Sequence, residues 1–390
     1  MNILVISQAK GFIGGANRSL FDVIIKLKNL YEHNISVIVP EKGDFSSALA
    51  EHGIEYMVCP YCQNTFTQMN DIFDPYRFLK SVKNDINNRK VAKKAAKEIS
   101  ESGNKFDCVY INDSSNTFGF YLAEYLKTRF VWHFRNYNEH VKRYLLSEKK
   151  LRKGKGGICI AISNAMRNFM ITKRHINEES IIVIHNGVEN NNNEIRPWMD
   201  RIRDGEVHCV HCGLLLEIKG QLTSIEAISI LKQQGYKVFL HLAGGSPAGK
   251  NDAYLNKLKE TVAQLKIEDS VIFEGNVSNM VSLREKMAIE LMCSKAEPFG
   301  RVTVEGMQAG LVVIGANTGA TPEIINDGEN GLLFQQGNAF DLAEKIKMVI
   351  DSPDMGELLA ANGVLFTKDN FTMDQNVAQI NCVLEKCINE

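Results

Sequence analysis

Short apolar runs alternate with stretches of helical periodicity along nearly the whole chain. In the first half these runs lie at residues 2–7, 35–39, 55–58, 108–111, 130–134, 158–161 and 181–184. A second set lies at residues 207–212, 238–243, 271–273, 289–293, 312–314 and 332–334. Strands that alternate with helices predict parallel sheets with right-handed crossovers. We therefore expect an α/β fold of two Rossmann-like domains, with parallel sheets that face each other across a cleft.

A polar, asparagine-rich stretch at residues 189–194 separates the two sets of strands. A chain of 390 residues is too long for one typical domain and fits two. We expect an N-terminal domain at residues 1–188 and a C-terminal domain at residues 189–373.

The composition is that of a soluble globular protein, with 44% hydrophobic and 23% charged residues. No apolar run is long enough to cross a membrane, and the first residues resemble a buried strand rather than a signal peptide. Nine cysteines without a secretory signal favour free thiols in a reducing compartment. We expect a cytoplasmic protein, and the absence of any recognition module argues against nucleic-acid binding.

The charge is distributed unevenly between the two halves. Residues 1–190 contain 27 lysines and arginines against 19 acidic residues, whereas the remainder contains 18 against 27. Two segments, residues 77–97 and 149–155, hold many of the extra positive charges. In the first, the basic residues oppose an apolar set that includes Leu79 and Ile86. Two interpretations stay open: solvated surface, or peripheral attraction to anionic lipid headgroups of about 1 kcal/mol per basic residue.

Two C-x-x-C pairs raise the question of metal or redox chemistry. Cys59 and Cys62 follow a strand instead of starting a helix, where a redox cysteine is activated. Cys209 and Cys212 lie within one strand, and residues three apart point to opposite faces. We interpret both pairs as structural and expect no metal site.

The segment from Glu297 to Glu305 reads E-P-F-G-R-V-T-V-E and follows a buried strand. Glu297 falls in the loop, and Glu305 falls one turn into the next helix. Gly300 permits close approach of the backbone, and the N–H groups of Arg301 and Val302 at the helix start form an anion site. This arrangement suits a nucleotide diphosphate, with Glu305 placed to accept hydrogen bonds from a ribose diol.

The chain resembles the family-four retaining glycosyltransferases, known as glycosyl transferases group 1, which have the GT-B fold. Their signature has the form E-P-F-G-x-x-x-x-E, then A-x-G-x-P-V-V, then G-G-x-x-E. Here the later parts read A-G-L-V-V at residues 309–313 and G-A-T-P-E at residues 319–323. The resemblance also implies that the last helix, about residues 374–388, packs on the N-terminal domain.

The resemblance implies site residues in the N-terminal domain. The loop with Gly14 and Gly15 matches one that approaches the donor diphosphate; Asn17 stands where the family has Glu, and we assign it no role. His133, at the end of a strand, matches a histidine close to the transferred sugar, and Arg135 is a weaker candidate.

In the C-terminal domain, Lys219 matches a lysine that neutralises the leaving diphosphate. Leu214 stands where the family has arginine, and Arg301 could supply that charge. Gly245 matches a glycine turn after the next strand. Asn276 and Val277 lie in the loop that meets the base.

We therefore expect a retaining hexosyl- or N-acetylhexosaminyltransferase that uses a nucleotide sugar, with UDP as the expected nucleotide, and needs no cofactor. By the resemblance, Glu297 contacts the sugar, and the acceptor is a glycan or lipid-linked saccharide in bacterial surface polysaccharide synthesis. Two alternatives stay open. The first is a degenerate protein that binds a nucleotide sugar without turnover, which the residue Leu214 favours. The second is a non-hydrolysing sugar-nucleotide epimerase, which shares the fold but lacks the glutamate signature.

Overall fold

A computed structural model of the chain describes residues 1–8, 11, 15–63, 75–137, 157–189, 195–246 and 252–389. The chain divides into two compact units. Unit 1 contains Met1–Gly187 together with Met373–Glu390, and unit 2 contains Val188–Thr372. Each unit has one parallel sheet, so the predicted α/β fold class is confirmed.

The described residues of unit 1 form seven parallel strands in the order β3-β2-β1-β4-β5-β6-β7. Their bounds are β1 (Asn2–Ile6), β2 (Asn34–Val39), β3 (Glu55–Val58), β4 (Cys108–Asn112), β5 (Arg129–Phe134), β6 (Gly157–Ala161) and β7 (Ile181–Val183). Strand β4 is buried along its whole length, and β1 and β5 are buried in all but their first residue, which is why these strands are almost continuously apolar in sequence.

The described helices of unit 1 lie between these strands and after unit 2. They are α1 (Gly15–Tyr31), α2 (Asp44–Glu51), α3 (Pro75–Glu101), α4 (Thr117–Leu126), α5 (Asn164–Thr172) and, at the end of the chain, α13 (Met373–Asn389). Side-chain caps fix where two of them start. Asn116 accepts from the Gly119 N–H before α4, and Ser163 accepts from the Met166 N–H before α5.

In unit 2 the part of the chain that the structure describes contains six parallel strands, in the order β10-β9-β8-β11-β12-β13. Their bounds are β8 (Val207–Cys212), β9 (Val238–Ala243), β10 (Val271–Gly275), β11 (Ile289–Met292), β12 (Val312–Ala316) and β13 (Leu332–Phe334). The described helices of this unit are α6 (Gln221–Gln233), α7 (Ala253–Leu265), α8 (Met280–Arg284), α9 (Arg301–Gln308), α10 (Thr321–Ile324), α11 (Ala339–Asp351) and α12 (Pro353–Asn370).

The strand order of each unit contains a point where the direction of winding reverses. In unit 1 this point lies between β1 and β4, and in unit 2 it lies between β8 and β11. The loops that leave two such strands diverge, so a crevice opens at their carboxyl ends. The loops after β1, β4, β8 and β11 are therefore the places to look for ligand-binding residues.

One helical face differs from its predicted placement. Leu79 and Ile86 were expected on the apolar side of α3, but they are 64% and 52% exposed. The buried side of α3 instead includes Ser81, Ala92 and Ile99. Leu79 and Ile86 thus share the solvent side with the lysines. The other basic segment, residues 149–155, and the polar stretch from residue 190 to residue 194 lie outside the described residues.

Helix α13 belongs to the core of unit 1 although it follows unit 2 in sequence. Val377, Ile380 and Leu384 are fully buried in the same cluster as Val5 and Tyr110. Asn376 also donates to the His185 carbonyl over 2.6 Å. The helix is therefore held by both apolar burial and a polar contact.

We predict that Ile380→Ala destabilises unit 1 by about 2–5 kcal/mol, because it leaves a cavity in the core. The chain has two tryptophans, Trp132 in unit 1 and Trp198 in unit 2, and both are buried. Urea unfolding is followed in Trp198→Phe and Trp132→Phe backgrounds, so that each tryptophan reports one unit. The matched control is Gln379→Ala, an exposed neighbour on the same helix. A shift of the Trp198 transition alone would contradict the placement of α13.

Candidate active site

Lys219 and Glu297, both predicted to be catalytic, contact each other at the carboxyl edge of the second sheet. Lys219 Nζ lies 2.7 Å from Glu297 Oε2, and Ser294 Oγ donates to the same oxygen over 3.1 Å. Lys219 ends the loop after β8, and Glu297 lies in the loop after β11. The winding reversal between these strands brings together side chains that are 78 positions apart. Their side chains stay 29% and 12% exposed, so a ligand can reach the pair.

Two glycines fix the backbone around this ion pair. Gly220, with φ of 76°, leaves no room for a Cβ, which would lie 2.1 Å from the Cys293 carbonyl oxygen. At Gly319, with φ of 58°, a Cβ would lie 2.5 Å from the Glu297 carbonyl oxygen. The Ala320 N–H donates to that same oxygen over 2.9 Å. The G-A-T-P-E segment therefore packs against the backbone of Glu297 and bonds its carbonyl oxygen.

Helix α9 starts at Arg301, directly after Gly300, whose φ is 98°. In an α-helix the first N–H groups point away from the other carbonyl groups of the helix. Here the N–H groups of Arg301 and Val302 precede that of Thr303, which donates to the Gly300 carbonyl over 3.0 Å. Such a helix start favours a negatively charged ligand. Glu297, on the preceding loop, and Glu305, within the helix, lie on either side of this helix start in sequence.

Two arginines hold Glu305, one on each carboxylate oxygen. Arg301 Nε donates to Glu305 Oε1 over 2.8 Å, and Arg284 Nη1 donates to Oε2 over 2.9 Å. Arg284 also bonds the carboxylate of Glu290, from Nε over 2.8 Å and from Nη2 over 3.4 Å. The four side chains form an alternating, neutral group that we call the carboxylate quartet. The Glu305 side chain keeps 24% of its surface exposed.

The opposite charges within the quartet determine the protonation of Glu305 and Arg284. Burial alone would raise the pKa of Glu305, but the charges of Arg284 and Arg301 outweigh it, so that pKa lies below its ordinary value. Burial opposes the charge on Arg284, yet the two carboxylates raise its pKa above the ordinary value. Glu305 is therefore an ionised hydrogen-bond acceptor at neutral pH.

Sequence reasoning missed two members of the quartet, Arg284 and Glu290. A signal for Glu290 was present, because it interrupts an otherwise apolar strand and is fully buried. A buried carboxylate needs a cationic partner. The partner itself, on α8, could not be chosen from the sequence alone. The sequence left open whether Arg301 supplies the charge of the family arginine at Leu214. Its guanidinium bonds Glu305, and a diphosphate role for Arg301 stays untested.

Gly245 of the predicted glycine turn and the two residues expected near the base, Asn276 and Val277, lie after β9 and β10. A Cβ at Gly245 would lie 2.6 Å from the Asn276 side-chain oxygen, so these two residues touch. The Gly245 carbonyl accepts from the Leu215 N–H over 3.0 Å, which ties this turn to the loop that carries Lys219. Val277 packs against a small apolar cluster that includes Val210.

His133 in unit 1 is fully buried at the end of β5. Its Nδ1 lies 2.5 Å from the Tyr110 hydroxyl and 3.3 Å from Arg135 Nη2. An arginine can only donate, so Nδ1 accepts and the proton resides on Nε2. Burial, reinforced by the charge of Arg135, lowers the pKa of His133 well below its ordinary value. His133 is thus a neutral imidazole whose Nε2–H has no partner among the described residues.

Arg135 orders the polar end of the neighbouring strands. Its Nε donates to Asn112 over 2.6 Å, and its Nη1 donates to Asn186 over 2.7 Å. The guanidinium therefore joins the ends of β4 and β5 to the segment after β7. This arrangement gives Arg135 a clear role in positioning His133.

The glycine loop after β1 is only partly described. Gly14 lies outside the described residues, and Gly15 begins α1. Asn17 has a role that the sequence did not suggest: its Oδ1 accepts from the Gln8 N–H over 3.2 Å, and its Nδ2 donates to the Gly11 carbonyl over 2.8 Å. This buried side chain fixes both sides of the loop.

The polar loop after β4 turns inward. Asp113, Ser114 and Ser115 in this loop are fully buried. The Asp113 carboxylate accepts from Ser115 over 3.0 Å, from Asn136 over 3.1 Å and from the Gln8 amide. Burial raises the pKa of Asp113, which these hydrogen bonds oppose. The cluster ties together the loops after β1, β4 and β5.

The cysteine pair on β8 points to two sides of the sheet. Cys209 belongs to the main core of unit 2, whereas Cys212 belongs to the smaller apolar cluster. Within the described ranges, no group of three or more His, Cys, Asp or Glu side chains is arranged to hold a metal ion. None of the helices that the structure describes is long and apolar enough to cross a membrane.

Comparison with known proteins gives matches over most of the chain. The model of glycosyltransferase family 4 matches residues 13–191, and the model of glycosyl transferases group 1 matches residues 197–364. A glycosyltransferase of Methanocaldococcus jannaschii is 36% identical over 107 residues, which are 27% of this chain and 30% of that protein. The capsular polysaccharide biosynthesis glycosyltransferase CapM of Staphylococcus aureus is 25% identical over 224 residues, covering 55% of this chain and 57% of that protein.

The crystal structure of Anabaena HepE in complex with UDP has a TM-score of 0.78 and 23% identity, and the match covers 99% of this chain and 100% of that one. This similarity shows the fold. The chain spans between about a third and somewhat more than half of the length of the curated relatives named above. The two family models match successive, non-overlapping stretches that together cover most of the chain, and glycosyltransferases are among its relatives. The chain therefore belongs to the group 1 glycosyltransferases of family four, with the GT-B fold.

Proposed function

We propose that this protein transfers a hexosyl or N-acetylhexosaminyl group from a nucleotide-diphosphate sugar to an acceptor hydroxyl, with retention at the anomeric carbon. The observation that carries the proposal is the pairing of Lys219 with Glu297 beside the helix that holds Glu305. At the carboxyl edge of the second sheet, Lys219 offers a cation and Glu297 a carboxylate for a sugar phosphate. Glu305 offers an ionised acceptor for a ribose diol.

UDP is the nucleotide that we propose for the donor. Anabaena HepE has been crystallised with UDP and with UDP-glucose, which supports this choice. In this chain the turn at Gly245 and the loop of Asn276 and Val277 would receive the base, through backbone groups and one amide. Glu305 would accept from the ribose, and the first-turn amides of α9 would bind the diphosphate.

In the proposed reaction, the bond between the anomeric carbon and the phosphate oxygen breaks as the acceptor oxygen bonds to that carbon on the same face. The acceptor proton passes to the departing phosphate oxygen. Negative charge grows on the diphosphate, where Lys219 and the amides of α9 would stabilise it. Glu297 would hold hydroxyls of the sugar, and we assign the charge stabilisation to these groups rather than to a metal ion.

His133 is proposed to contact the transferred sugar. Its neutral state and its proton on Nε2 make it a hydrogen-bond donor toward a hydroxyl oxygen. An unpartnered N–H in a buried position costs free energy until a ligand satisfies it. A bound sugar would supply that acceptor.

A protein that binds a nucleotide sugar without turnover is the second candidate. Leu214 favours it, because the family places an arginine there beside the diphosphate. Arg301, the substitute suggested by the sequence, bonds Glu305 in this structure. Measurable hydrolysis or transfer of a nucleotide sugar would exclude this candidate.

We further propose a lipid-linked saccharide acceptor in surface polysaccharide synthesis, on the cytoplasmic face of a membrane. The relatives include the capsule enzyme CapM and a lipopolysaccharide core mannosyltransferase of Rhizobium meliloti. The solvent side of α3 supports a peripheral membrane contact. Exposed apolar side chains at Tyr76, Leu79 and Ile86 share it with exposed basic residues, which are Lys80, Lys83, Arg89, Lys90, Lys93, Lys94 and Lys97.

Glu305→Gln is predicted to weaken UDP binding, because the ribose diol loses hydrogen bonds to a charged acceptor that contribute about 1.5–3 kcal/mol. Glu297→Gln should leave UDP affinity nearly unchanged and lower the transfer rate, since UDP lacks the sugar. Isothermal titration calorimetry with UDP separates the two roles. Glu260→Gln, an exposed glutamate on α7, is the control. Unchanged affinity in Glu305→Gln would contradict the assigned roles.

Lys219→Met is predicted to lower kcat by about 100- to 1000-fold, because the charge on the departing diphosphate loses a preorganised cation. The Kd for the donor should change less, since that charge is smaller in the ground state. Lys257→Met is the matched control, because Lys257 forms an exposed ion pair with Glu217. Equal losses in kcat/KM for the two variants would show that Lys219 has no special role.

Binding to anionic vesicles is predicted at ~0.1 M salt and should fall steeply toward ~1 M, where screening acts over ~3 Å rather than ~10 Å. Leu79→Ser/Ile86→Ser should weaken this binding, because it removes the apolar part of the α3 surface. The control is Leu358→Ser/Leu365→Ser, two exposed leucines with the same seven-residue spacing on α12. Co-sedimentation with anionic and neutral vesicles is the measurement. Binding to anionic vesicles that is no stronger than binding to neutral ones at low salt would contradict an attraction of the basic surface to anionic lipid.

A further inference from the structure

Arg284 is almost completely buried, yet one of its contacts leads to a partly exposed carboxylate. The guanidinium side chain is 6% exposed and lies between Glu290, which is 0% exposed, and Glu305, which is 24% exposed. Glu290 engages Nε and Nη2, which fixes the plane of the guanidinium. The remaining nitrogen, Nη1, is thereby aimed at Glu305 Oε2. The chain of contacts runs from the interior to the surface that a ligand can reach.

The helix that carries Glu305 also rests on Glu290. A Cβ at Gly306 would lie 3.0 Å from Glu290 Cβ and 3.0 Å from its Oε2, so the backbone of α9 sits directly on this side chain. Glu290 itself lies in the middle of β11, paired in register with Val210 on β8 and Val313 on β12. Because Arg284 bonds Glu290, its position is fixed relative to the centre of the sheet.

A carboxylate that binds a diol must present its oxygens in a fixed plane. Each carboxylate oxygen can accept more than one hydrogen bond, so Oε1 and Oε2 of Glu305 keep acceptor capacity beside their arginines. A side chain that is fixed before the ligand arrives loses less conformational freedom on binding. Arg301 alone, on the same helix and 18% exposed, would leave Oε2 without its buried donor.

We propose that Arg284, held by Glu290, is a positioning residue that orients the Glu305 carboxylate toward the ribose diol of the nucleotide. This inference rests on the proposed function, in which Glu305 accepts from the ribose. It assigns Arg284 and Glu290 a part in nucleotide affinity although neither touches the ligand. An ion pair that merely supports the fold would affect all ligands of the unit alike.

The test compares UDP with 2′,3′-dideoxyuridine diphosphate, which lacks both ribose hydroxyls. Calorimetry gives the ratio of the two Kd values for each variant. The wild-type protein should prefer UDP by about 10- to 100-fold, as expected for hydrogen bonds to a charged acceptor. In Arg284→Met/Glu290→Met the preference should shrink to a few-fold. Affinity for the dideoxy compound should stay close to that of the wild-type protein.

The double variant is chosen because removing Arg284 alone would leave Glu290 buried without a cation, whereas replacing both by apolar residues is often tolerated. Trp198 fluorescence reports whether unit 2 is folded. Arg284→Lys provides a second, conservative test. It keeps the charge but cannot bond both carboxylates through a planar fork, so its Kd ratio should be intermediate. Lys232→Met/Asp269→Ala, which removes an exposed ion pair of the same unit, should keep the wild-type ratio.

The outcomes separate the inference from the proposed function. If the double variant loses affinity equally for both compounds, Arg284 supports the fold only and the inference is wrong. If the wild-type protein binds UDP and the dideoxy compound equally well, Glu305 does not hold the ribose, and the proposed function fails together with the inference. A ratio that falls in the double variant, is intermediate in Arg284→Lys and is unchanged in the exposed-pair control supports the proposal.

Discussion

The pairing of Arg284 with Glu290 and Glu305 is the interaction on which the candidate site depends most. A carboxylate within a parallel sheet is costly unless a cation and hydrogen bonds compensate it. Glu290 occupies such a position at the centre of β11, and Arg284 is the cation that compensates it. The same guanidinium reaches α9, so that one buried charge connects the sheet, the preceding helix and the helix of Glu305. Loss of Arg284 would leave Glu290 without this cation and Glu305 without one of its two arginines.

The order of strands explains why the other polar residues meet. β8 and β11 are neighbours at the point where the winding reverses, so the loops at their carboxyl ends lie side by side and bring Lys219 and Glu297 into contact. In unit 1, β1 and β4 have the same relation, and Gln8 and Asp113 meet there through a hydrogen bond. In each unit, the winding of the sheet places distant segments of the chain beside one another.

The sequence predicted the strands well, because a strand that is buried on both faces appears in the sequence as a continuous apolar run. The bounds of β8, β9 and β13 agree with the runs from which they were predicted. The strand that contains Glu290 was also predicted, but the partner of this carboxylate was not. A contact between residues on different elements depends on three-dimensional packing, which periodicity does not encode.

Other features could not be predicted for related reasons. Leu79 and Ile86 match the apolar period of α3, yet the period alone does not say which face the sheet covers. Asn17 departs from the family pattern, and only the folded loop shows that its side chain bonds Gln8 and Gly11. The roles of Glu297, Lys219 and His133 in turnover stay predictions. What the structure adds is their surroundings: an ion pair for the first two and a defined tautomer for the third.

The central claim is that unit 2 binds a nucleotide-diphosphate sugar at the carboxyl edge of its sheet. Thermal unfolding followed through Trp198, in a Trp132→Phe background, tests this claim most directly with UDP-, GDP- and ADP-glucose. A ligand at 100 times its Kd adds about 2.7 kcal/mol to the stability of the unit that binds it. UDP-glucose is expected to raise the unfolding midpoint of unit 2, and Glu305→Gln is expected to reduce this shift. No shift with any of the three nucleotide sugars would contradict the claim.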